Sequence, residues 1–411
     1  MTSPRPQRVA VLSYHTGPLA PLGSAYGGGM NVYIRELSRA LAARGVQVDI
    51  FTRRTGPGPE VVTDPALGPG QRVVVVPAGP PHDLPRRALP AHVPAFVAGV
   101  RAWVAAQGVR YDLIHSHYWL SGLAALELRA AWRVPVVHMC HTLERVKARA
   151  LGREPDPQRL EGEARCVRGV DRLIVATPGE RALLHWLYQV PPERVAVIPP
   201  GVDTAHFAPR PRAQALAQAG LDPSRRWLVF VGRLDPIKGL DTLMRAVALM
   251  RAAGVVARHR LAVALIGGES QVEPATLRAW RKTHDLDAVV RFLGPRERRV
   301  LPAYYAAAEA VVMPSYYESF GLAALEAMAC GTPVVASDVG GLAHLVRHGR
   351  TGCLVPPQDA EALAATLTLL LDAPRFRARL GQEAHRVAQD YAWPRVAQRI
   401  EREYQAVLEA V

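Results

Sequence analysis

The sequence predicts an α/β protein made of two doubly wound domains, each with a parallel sheet covered by helices on both faces. Three observations lead to this fold class. Buried apolar strands alternate with amphipathic helices along the whole chain. A proline- and glycine-rich stretch at residues 199–211 interrupts the alternation once, and the same pattern then restarts. With 411 residues, the chain is long enough for two domains that each have their own core.

The first domain is predicted to cover residues 1–205. It opens with a strand at 8–14, which is followed by a glycine-rich loop and a helix. Apolar side chains recur on one face of that helix, namely Met30, Ile34, Leu37 and Leu41. Further strands are expected at 46–52, 72–76, 113–116, 134–139, 173–177 and 195–198.

The second domain is predicted to cover residues 206–390, with the helical pattern resuming near Ala213. Its strands are expected at 227–231, 261–266, 290–293, 310–313, 334–337 and 352–355, with helices at 240–250 and 275–284. The last fifty residues are predicted to be helical, with breaks near Pro374 and Pro394. Ligands bind at the carboxyl ends of the strands in such sheets, so two facing domains would share one cleft.

The formal net charge of +14 raises the question of nucleic-acid binding. The basic residues are spread along the chain, never more than two in a row, and no aromatic residues alternate with them in a basic stripe. This pattern argues against a nucleic-acid partner, although a basic protein that binds nucleic acid or an anionic membrane remains an alternative. A basic surface also suits small anionic substrates.

No run of apolar residues approaches the roughly 20 that a membrane-spanning helix needs. The apolar run at residues 9–12 is too short for the core of a signal peptide. We therefore expect a cytoplasmic protein without a transmembrane segment, while peripheral membrane contact and a homodimer stay open. The four cysteines contain no C-x-x-C pair, which favours small buried thiols over disulfides or a zinc ribbon.

The strongest functional signal is an acidic pair, Glu318 and Glu326, around the start of a helix. The free N–H groups of Phe320, Gly321 and Leu322 would point out of this helix start towards a phosphate. At about 1.5 Å per residue, Glu326 lies about 7–8 Å beyond Gly321 along the helix axis. That distance fits a carboxylate on the ribose of the same nucleotide, while Glu318 would face the sugar beyond the phosphates.

Two cations stand in the loop after the first strand of the second domain. Arg233 and Lys238 lie in a loop shaped by glycine and proline, and Lys238 is one of only three lysines in the chain. Breaking a sugar–phosphate bond leaves negative charge on a diphosphate, and without a metal ion fixed cations must stabilise that charge. We expect both side chains to bind one diphosphate, with no cofactor required.

Two weaker signals lie in the first domain. Three glycines at residues 27–29 offer another exposed helix start, although they lack the spacing of a dinucleotide-binding loop. Four histidines lie near the ends of two neighbouring strands, namely His115, His117, His138 and His141. An H-x-H pair can chelate a metal, but no acidic ligand accompanies it, so we predict no metal site. His141, at the mouth of the sheet, is the best functional candidate among them.

Together these motifs resemble the retaining glycosyltransferases of family 4, which have the GT-B fold of two facing Rossmann-like domains. The resemblance covers nearly the whole chain, and its R-x4-K and E-x7-E pairs are jointly highly specific. It implies that Arg233 and Lys238 hold the diphosphate of the donor. It further implies that Glu326 binds the ribose, that Glu318 binds the donor sugar, and that His141 contacts this sugar near the reacting carbon.

The first domain is most similar to the subfamily that glycosylates D-inositol 3-phosphate in mycothiol synthesis. The matching segments are residues 13–16, 28–33, 111–122 and 141–143. The acceptor-binding residues implied by this resemblance are His15, Arg86, Tyr118, Thr142 and Arg159, the last three through the acceptor phosphate. Gly29 and Asn31 would line the junction of donor and acceptor. Family members send their last helix back to the first domain, which is the expectation for residues 391–411.

The sequence departs from that subfamily at three positions. Tyr26 stands where the subfamily has an aspartate, Pro21 where it has a glutamine, and Arg86 where it has a phosphate-binding lysine. Arginine also binds phosphate, but Tyr26 removes a hydrogen-bond acceptor for a hydroxyl group. A different phosphorylated acceptor, such as a hexose phosphate, therefore stays open beside inositol phosphate.

The resemblance thus predicts transfer of a hexose, with N-acetylglucosamine among the candidates, from a UDP-sugar to a small phosphorylated polyol or sugar. Alternatives within the family are a sucrose-phosphate-synthase-like enzyme and one with a lipid acceptor. Outside the family, a sugar-nucleotide epimerase could use the same architecture. Because the family retains anomeric configuration and no carboxylate is an evident nucleophile, we expect front-face attack, with the departing diphosphate taking the proton of the acceptor.

Overall fold

The computed structural model describes residues 6–20, 28–268 and 271–410, which fold into two compact units. Of these residues, unit 1 contains those up to Gly201 together with those from Trp393 onward, and unit 2 contains Val202–Ala392. Each unit has its own sheet and its own hydrophobic core.

The strands and helices alternate along both units. The strands are β1 Arg8–Leu12, β2 Gln47–Arg53, β3 Val61–Val62, β4 Arg72–Val76, β5 Leu113–His117, β6 Val136–Met139, β7 Arg172–Val175, β8 Val195–Val197, β9 Arg226–Val231, β10 Leu261–Ile266, β11 Val290–Gly294, β12 Ala310–Met313, β13 Val334–Ser337 and β14 Gly352–Val355. The helices are α1 Gly29–Ala42, α2 Val93–Gln107, α3 Trp119–Trp132, α4 Glu144–Ala150, α5 Pro157–Gly169, α6 Pro178–Tyr188, α7 Arg212–Ala219, α8 Leu240–Ala252, α9 Val255–Arg258, α10 Ala275–Thr283, α11 Leu301–Ala307, α12 Leu322–Ala329, α13 Gly340–Leu345, α14 Ala360–Asp372, α15 Pro374–Ala388 and α16 Trp393–Glu409.

Unit 1 contains an eight-stranded sheet in the order β3-β4-β2-β1-β5-β6-β7-β8. Neighbouring strands pair in parallel, except for the short edge strand β3, which pairs antiparallel with β4. Two hydrophobic clusters cover the sheet, as a parallel sheet requires. The strand order reverses between β1 and β5, so the loops that follow these two strands flank the crevice where ligands of such sheets bind.

Unit 2 contains a six-stranded parallel sheet in the order β11-β10-β9-β12-β13-β14. Leu228 and Phe230 of β9 are buried in its core together with Val263 of β10. The strand order reverses between β9 and β12. The loops after these two strands therefore form the switch point of unit 2.

The C-terminal helix α16 packs in unit 1 rather than in unit 2. Its Trp393, Ile400 and Tyr404 side chains are buried, and Trp393 meets the ring of Tyr33 on α1 edge-on, 5.6 Å between centroids. The indole also packs against Gly201, where a Cβ atom would lie 2.6 Å from the ring. A glycine is therefore needed where the chain leaves unit 1.

The fold class predicted from the sequence is confirmed. Each predicted strand agrees with an observed strand to within two residues at either end, and α7 begins at Arg212, next to the predicted Ala213. The short strand β3 was not expected, and its antiparallel pairing departs from the predicted all-parallel sheets.

One helical stretch of the described residues, Arg86–Gln107, is long and apolar enough to cross a membrane, judged by length and a mean hydropathy of 1.2. It comprises a 3₁₀ helix, Arg86–His92, and α2. Phe96 and Val100 on α2 are fully buried, and the ring of Phe96 meets that of Tyr14 edge-on at 5.0 Å. The inner face of this stretch is therefore part of the core of unit 1.

Candidate active site

The loop after β9 presents the two cations predicted to bind a diphosphate. A 3₁₀ helix, Pro236–Lys238, forms within it because the Asp235 carboxylate accepts a hydrogen bond from the Ile237 backbone N–H at 3.2 Å. Gly239 ends this turn at a φ of +66°, and a Cβ there would lie 1.9 Å from the carbonyl oxygen of Pro314. The loop after β9 is thereby fixed directly against the loop after β12.

Lys238 and Glu318 meet at this contact. The Lys238 ammonium forms an ion pair with the Glu318 carboxylate, and the two side chains are only 15% and 17% exposed. Arg233 is more open, at 40% exposed, and its guanidinium lies 3.7 Å from the Asp235 carboxylate. The structure therefore brings two of the predicted site residues together, and it leaves Arg233 at the surface of the same loop.

The start of α12 is a helix terminus built around Gly321. Its φ of +100° lies in the region that favours glycine. In the described part of the chain, no side chain caps this helix start. Its first backbone N–H groups can therefore donate to an anion, as predicted for Phe320, Gly321 and Leu322.

Glu326 is buried on α12 and held by two partners that the sequence did not reveal. Its carboxylate accepts hydrogen bonds from Arg298 Nε and from the Tyr305 hydroxyl, both at 3.0 Å. Burial and the neighbouring Glu326 carboxylate raise the pKa of Tyr305, which keeps its hydroxyl a donor. Arg298 also stacks over the ring of Phe207, 4.7 Å from the centroid. Glu326 is thus oriented by its neighbours.

A glycine pair after β13 supports the segment that carries Glu318. The backbone N–H of Gly341 donates to the Glu318 carbonyl oxygen at 2.8 Å. A Cβ on Gly340 would lie 2.3 Å from that same oxygen, and one on Gly341 would lie 2.3 Å from the Cα of Phe320. The sequence analysis missed this pair, although two consecutive glycines shortly after a buried strand are a signal that could have indicated such a close approach.

In unit 1, the helix start predicted to line the donor–acceptor junction is tied to the loop after β1. The Asn31 side-chain amide donates to Thr16 Oγ1 at 2.6 Å and to the Gly17 carbonyl oxygen at 2.5 Å. The side-chain oxygen of Asn31, Oδ1, in turn accepts a hydrogen bond from the Gly28 backbone N–H at 3.2 Å. Gly29 begins α1 beside it and is exposed.

Three further positions singled out in the sequence lie outside the described residues. They are Pro21 and Tyr26, where the sequence departs from the inositol-phosphate subfamily, and Gly27, the first glycine of the run.

Five histidines gather at the carboxyl ends of β1, β5 and β6. Burial lowers the pKa of His15, His115 and His141 to about 3 and that of His138 to about 4, and it places the pKa of His117 well below its ordinary value. All five imidazoles are therefore neutral near pH 7. Among the described residues, no three His, Cys, Asp or Glu side chains form a group that could hold a metal ion.

Two of the predicted site residues have strained backbones. Tyr118 follows β5 directly and His141 lies two residues beyond the end of β6, and they adopt positive φ angles of 72° and 59°. Non-glycine residues at positive φ store strain and are found disproportionately at ligand-binding sites. His141 reaches back to His117, with 3.0 Å between His117 Nδ1 and His141 Nε2.

The structure assembles the predicted acceptor-phosphate residues around the guanidinium of Arg159. This group donates to Thr142 Oγ1 at 2.9 Å and lies over the ring of Tyr118, 5.0 Å from the centroid. Two buried carboxylates orient it: Glu163 lies 2.8 Å from Nε, and Glu144 lies 3.0 Å from Nη1. Neither carboxylate was predicted. Glu144 reaches Arg159 from α4 through the fold, whereas the i,i+4 spacing of Arg159 and Glu163 on α5 was a signal that could have found Glu163.

His15 and Arg86 complete the predicted acceptor residues. The ring of His15 lies 4.3 Å from that of Tyr118, centroid to centroid. Arg86 is exposed at the first position of the 3₁₀ helix before α2. Burial of His15 is the main cause that lowers the pKa of this histidine, and the positive charge of Arg86 is the second cause. The charge of Arg86 therefore acts electrostatically on His15.

Comparison with known proteins shows which family this chain belongs to. Residues 212–387 match the family model "Glycosyl transferases group 1", and residues 27–206 match "Glycosyltransferase Family 4". A protein of Catenulispora acidiphila named D-inositol 3-phosphate glycosyltransferase 2 is 45% identical over 400 residues, covering 95% of this chain and 93% of the relative. A D-inositol 3-phosphate glycosyltransferase of Thermobispora bispora is 43% identical over 414 residues, covering 99% and 96%.

Solved structures give the same result. Sucrose-phosphate synthase from Thermosynechococcus elongatus superposes with a TM-score of 0.89 at 36% identity, covering 98% of this chain and all of that one. Anabaena HepE in complex with UDP-glucose is 20% identical with a TM-score of 0.74, covering 97% and 99%, and it shares the fold.

Proposed function

The chain belongs to glycosyltransferase family 4, and on this basis we propose that it transfers a hexose from a UDP-sugar to a small phosphorylated polyol or sugar, with retention of anomeric configuration. One observation carries the proposal. The switch point of unit 2 gathers Lys238, Glu318 and an uncapped helix start into one anion-binding corner. A departing nucleoside diphosphate is the ligand that such a corner suits.

The donor half of the proposal assigns each group in this corner a part. Lys238 and Arg233 take the diphosphate, and the N–H groups at the start of α12 add further donors to it. Glu326, held by Arg298 and Tyr305, accepts from the ribose hydroxyls. UDP as the nucleotide is supported by HepE, which has been solved in complexes with UDP and with UDP-glucose.

The acceptor half rests on the Arg159 cluster of unit 1. Arginine presents a planar set of donors that matches a phosphate group, and Thr142 and Tyr118 add hydroxyl groups at the same place. Arg86 supplies a second, exposed cation. Inositol phosphate is the first candidate acceptor, because the relatives that match over the whole chain are named for it.

The proposed mechanism needs positioning and electrostatics rather than a covalent intermediate. The acceptor hydroxyl attacks the anomeric carbon on the face that the diphosphate leaves. The bond from that carbon to the diphosphate oxygen breaks, and this oxygen takes the hydroxyl proton. Lys238 and Arg233 stabilise the charge that develops on the diphosphate, so we propose that no cofactor is required. Glu318 then contacts the donor sugar rather than acting as a nucleophile.

A second candidate acceptor is a hexose phosphate. The 36% identity and full-length superposition with a sucrose-phosphate synthase favour it, since this is a solved relative whose name specifies a phosphorylated sugar product. The phosphate-binding cluster around Arg159 would serve either acceptor. The two candidates differ in the polyol or sugar ring that the phosphate brings with it.

The proposal is tested by measuring the melting temperature of the protein with UDP-, GDP- and ADP-sugars. The stabilising donor is then incubated with D-inositol 3-phosphate, with hexose 6-phosphates, or without acceptor. We expect a UDP-sugar to raise the melting temperature and a phosphorylated acceptor to be glycosylated with the anomeric configuration of the donor, as read by NMR. If no sugar nucleotide stabilises the protein, or if the donor epimerises without an acceptor, the proposal is wrong.

A further inference from the structure

The bond between His117 and His141 is a structural feature to which the proposed function gives no role. His117 is the last residue of β5, and His141 lies two residues beyond the end of β6. The Nδ1 atom of His117 and the Nε2 atom of His141 are 3.0 Å apart. Tyr33 on α1 packs edge-on against both rings, at 5.6 Å and 5.5 Å between centroids, which fixes the two ring planes.

This bond contains one proton, and its position decides the tautomer of both residues. Both imidazoles are neutral near pH 7, because burial lowers the pKa of His141 to about 3 and that of His117 well below its ordinary value. Each ring therefore carries one N–H group and one lone pair. Either His117 donates from Nδ1 to His141, or His141 donates from Nε2 to His117.

The far side of His117 distinguishes the two arrangements. In the part of the chain that the structure describes, Nε2 of His117 is buried and has no hydrogen-bond partner. If His141 donated, His117 would carry its proton on Nε2 and bury an unpaired N–H group. If His117 donates, only a bare lone pair is left there. Buried N–H groups without an acceptor are rarer in proteins than acceptors without a donor, so the second arrangement is favoured.

We propose that His117 is a positioning residue that fixes His141 as a hydrogen-bond donor through Nδ1. With its Nε2 accepting from His117, His141 holds its own proton on Nδ1, which faces away from this bond. A sugar oxygen, of the donor hexose or the attacking acceptor, is the group that such an N–H donor would recognise. The role of this donor rests on the proposed function, whereas the tautomer does not.

The backbone supports the same assignment. His141 sits at a φ of 59°, a conformation that non-glycine residues rarely adopt, so its Cα–Cβ direction is set by the chain. The backbone places the ring, and His117 determines which nitrogen carries the proton. Second partners of this kind commonly fix the tautomer of functional histidines.

The first test reads the tautomer without any substrate. Protein labelled with ¹⁵N at histidine is examined by NMR at pH 7.5, and the His141 signals are identified by their loss in His141→Gln. We expect Nδ1 of His141 to be protonated and Nε2 to be unprotonated. The opposite assignment in the wild-type protein would overturn the proposal, whatever the His117 variants do.

The second test compares two replacements of His117. His117→Asn places an amide N–H near the former Nδ1 and can still donate to His141, whereas His117→Leu cannot. We expect kcat to fall roughly 10- to 100-fold in His117→Leu, the effect of a loosened contact at the reacting centre, with most of it restored in His117→Asn. His138→Leu, which removes a buried histidine bonded to Ser116 at 2.8 Å, is the matched control for packing.

The outcomes separate the inference from the proposed function. Equal loss of kcat in both His117 variants, or an equal loss in His138→Leu, would mean that His117 serves packing alone and would overturn the proposal. If the protein transferred no sugar to any acceptor, the proposed function would fail, while the NMR assignment of His141 would still decide the tautomer.

Discussion

Lys238 is the residue on which the proposed donor site depends most directly. Its ammonium is paired with Glu318, and both side chains are mostly buried, so a diphosphate must compete with a carboxylate for the same cation. Fixed cations of this kind act where charge develops in the transition state, and removing one such donor lowers kcat roughly 100- to 1000-fold. Lys238→Ala should therefore lower kcat by about that factor.

The measurement pairs steady-state kinetics with thermal unfolding. Lys282→Ala, which removes an exposed lysine on α10 of the same unit, is the matched control and should leave kcat unchanged. Lys238→Ala leaves the Glu318 carboxylate without its partner, so the double variant Lys238→Ala/Glu318→Gln should melt higher than the single one and remain inactive. Near-normal turnover of Lys238→Ala would remove Lys238 from the mechanism.

At this scale the sequence predicts candidate site residues but few of their partners. The spacing of glycine, proline and charge around Lys238 and Glu318 indicates an anion site without any coordinates. The partner of Glu326, however, is Arg298, 28 residues away in the 3₁₀ helix Arg298–Val300, and Glu144 reaches Arg159 from α4. No local pattern in the chain encodes these two pairs, whereas the i,i+4 spacing of Arg159 and Glu163 on α5 could have indicated theirs.

At the scale of elements, the glycine pair after β13 has a consequence that can be measured. The φ of Gly341 is not positive, so the backbone conformation itself would accept an alanine. The lack of room excludes it, because its Cβ would lie 2.3 Å from the Cα of Phe320 and 2.3 Å from the Ser319 carbonyl oxygen. Gly341→Ala must push the segment that begins α12 outward. Overpacking of this kind costs about 1–3 kcal/mol, and it would displace the N–H groups expected to bind the diphosphate.

We expect Gly341→Ala to lower the free energy of unfolding by about 1–3 kcal/mol in urea and to raise KM for the donor more than KM for the acceptor. Gly56→Ala is the control, since a Cβ on that half-buried glycine would meet nothing within 4 Å. An unchanged stability together with an unchanged donor KM would show that this segment shifts freely and that the glycine is not required there.

Sequence patterns were most informative about the positions of the strands and helices. Runs of apolar residues flanked by helices with one apolar face located the parallel strands to within two residues, because such strands are buried on both faces. The exception is β3, Val61–Val62, which lies in a stretch rich in glycine and proline. Two residues that form an antiparallel edge pair produce no periodicity, so the turn signals around them dominate.

For the whole molecule, the described residues cross between the two units twice, and only the family resemblance indicates that the last helix returns to the first domain. The amphipathic pattern of α16 requires a partner but names none. In the structure its buried face, with Trp393, Ile400 and Tyr404, joins the cluster of α1 in unit 1. A hydroxyl–imidazole contact of 2.7 Å between Tyr404 and His115 ties this helix to the histidine cluster.

That cluster should make unit 1 the acid-sensitive part of the molecule. Burial holds the pKa of five histidines below the ordinary value of 6.5, to about 3 or 4 where a value is resolved. Below pH 6.5 the unfolded chain binds protons that the folded unit excludes, so stability is present above pH 6.5 and is lost as the pH falls towards 4. Glu180, whose pKa burial raises to about 7, and Glu163, whose pKa burial also raises, act in the opposite direction, but as two carboxyls against five imidazoles.

The measurement is thermal unfolding from pH 7.5 to pH 4.5, with hydrogen exchange followed by mass spectrometry to assign protection to each unit. We expect peptides of unit 1 to lose protection first and progressively below about pH 6.5, while those of unit 2 change less, because the five depressed imidazoles lie on unit 1. His138→Leu should flatten this pH dependence, since it removes one group that must stay neutral. Parallel loss of protection in both units, or a stability of unit 1 that does not change across this range, would mean that the cluster remains solvated or takes up protons without unfolding.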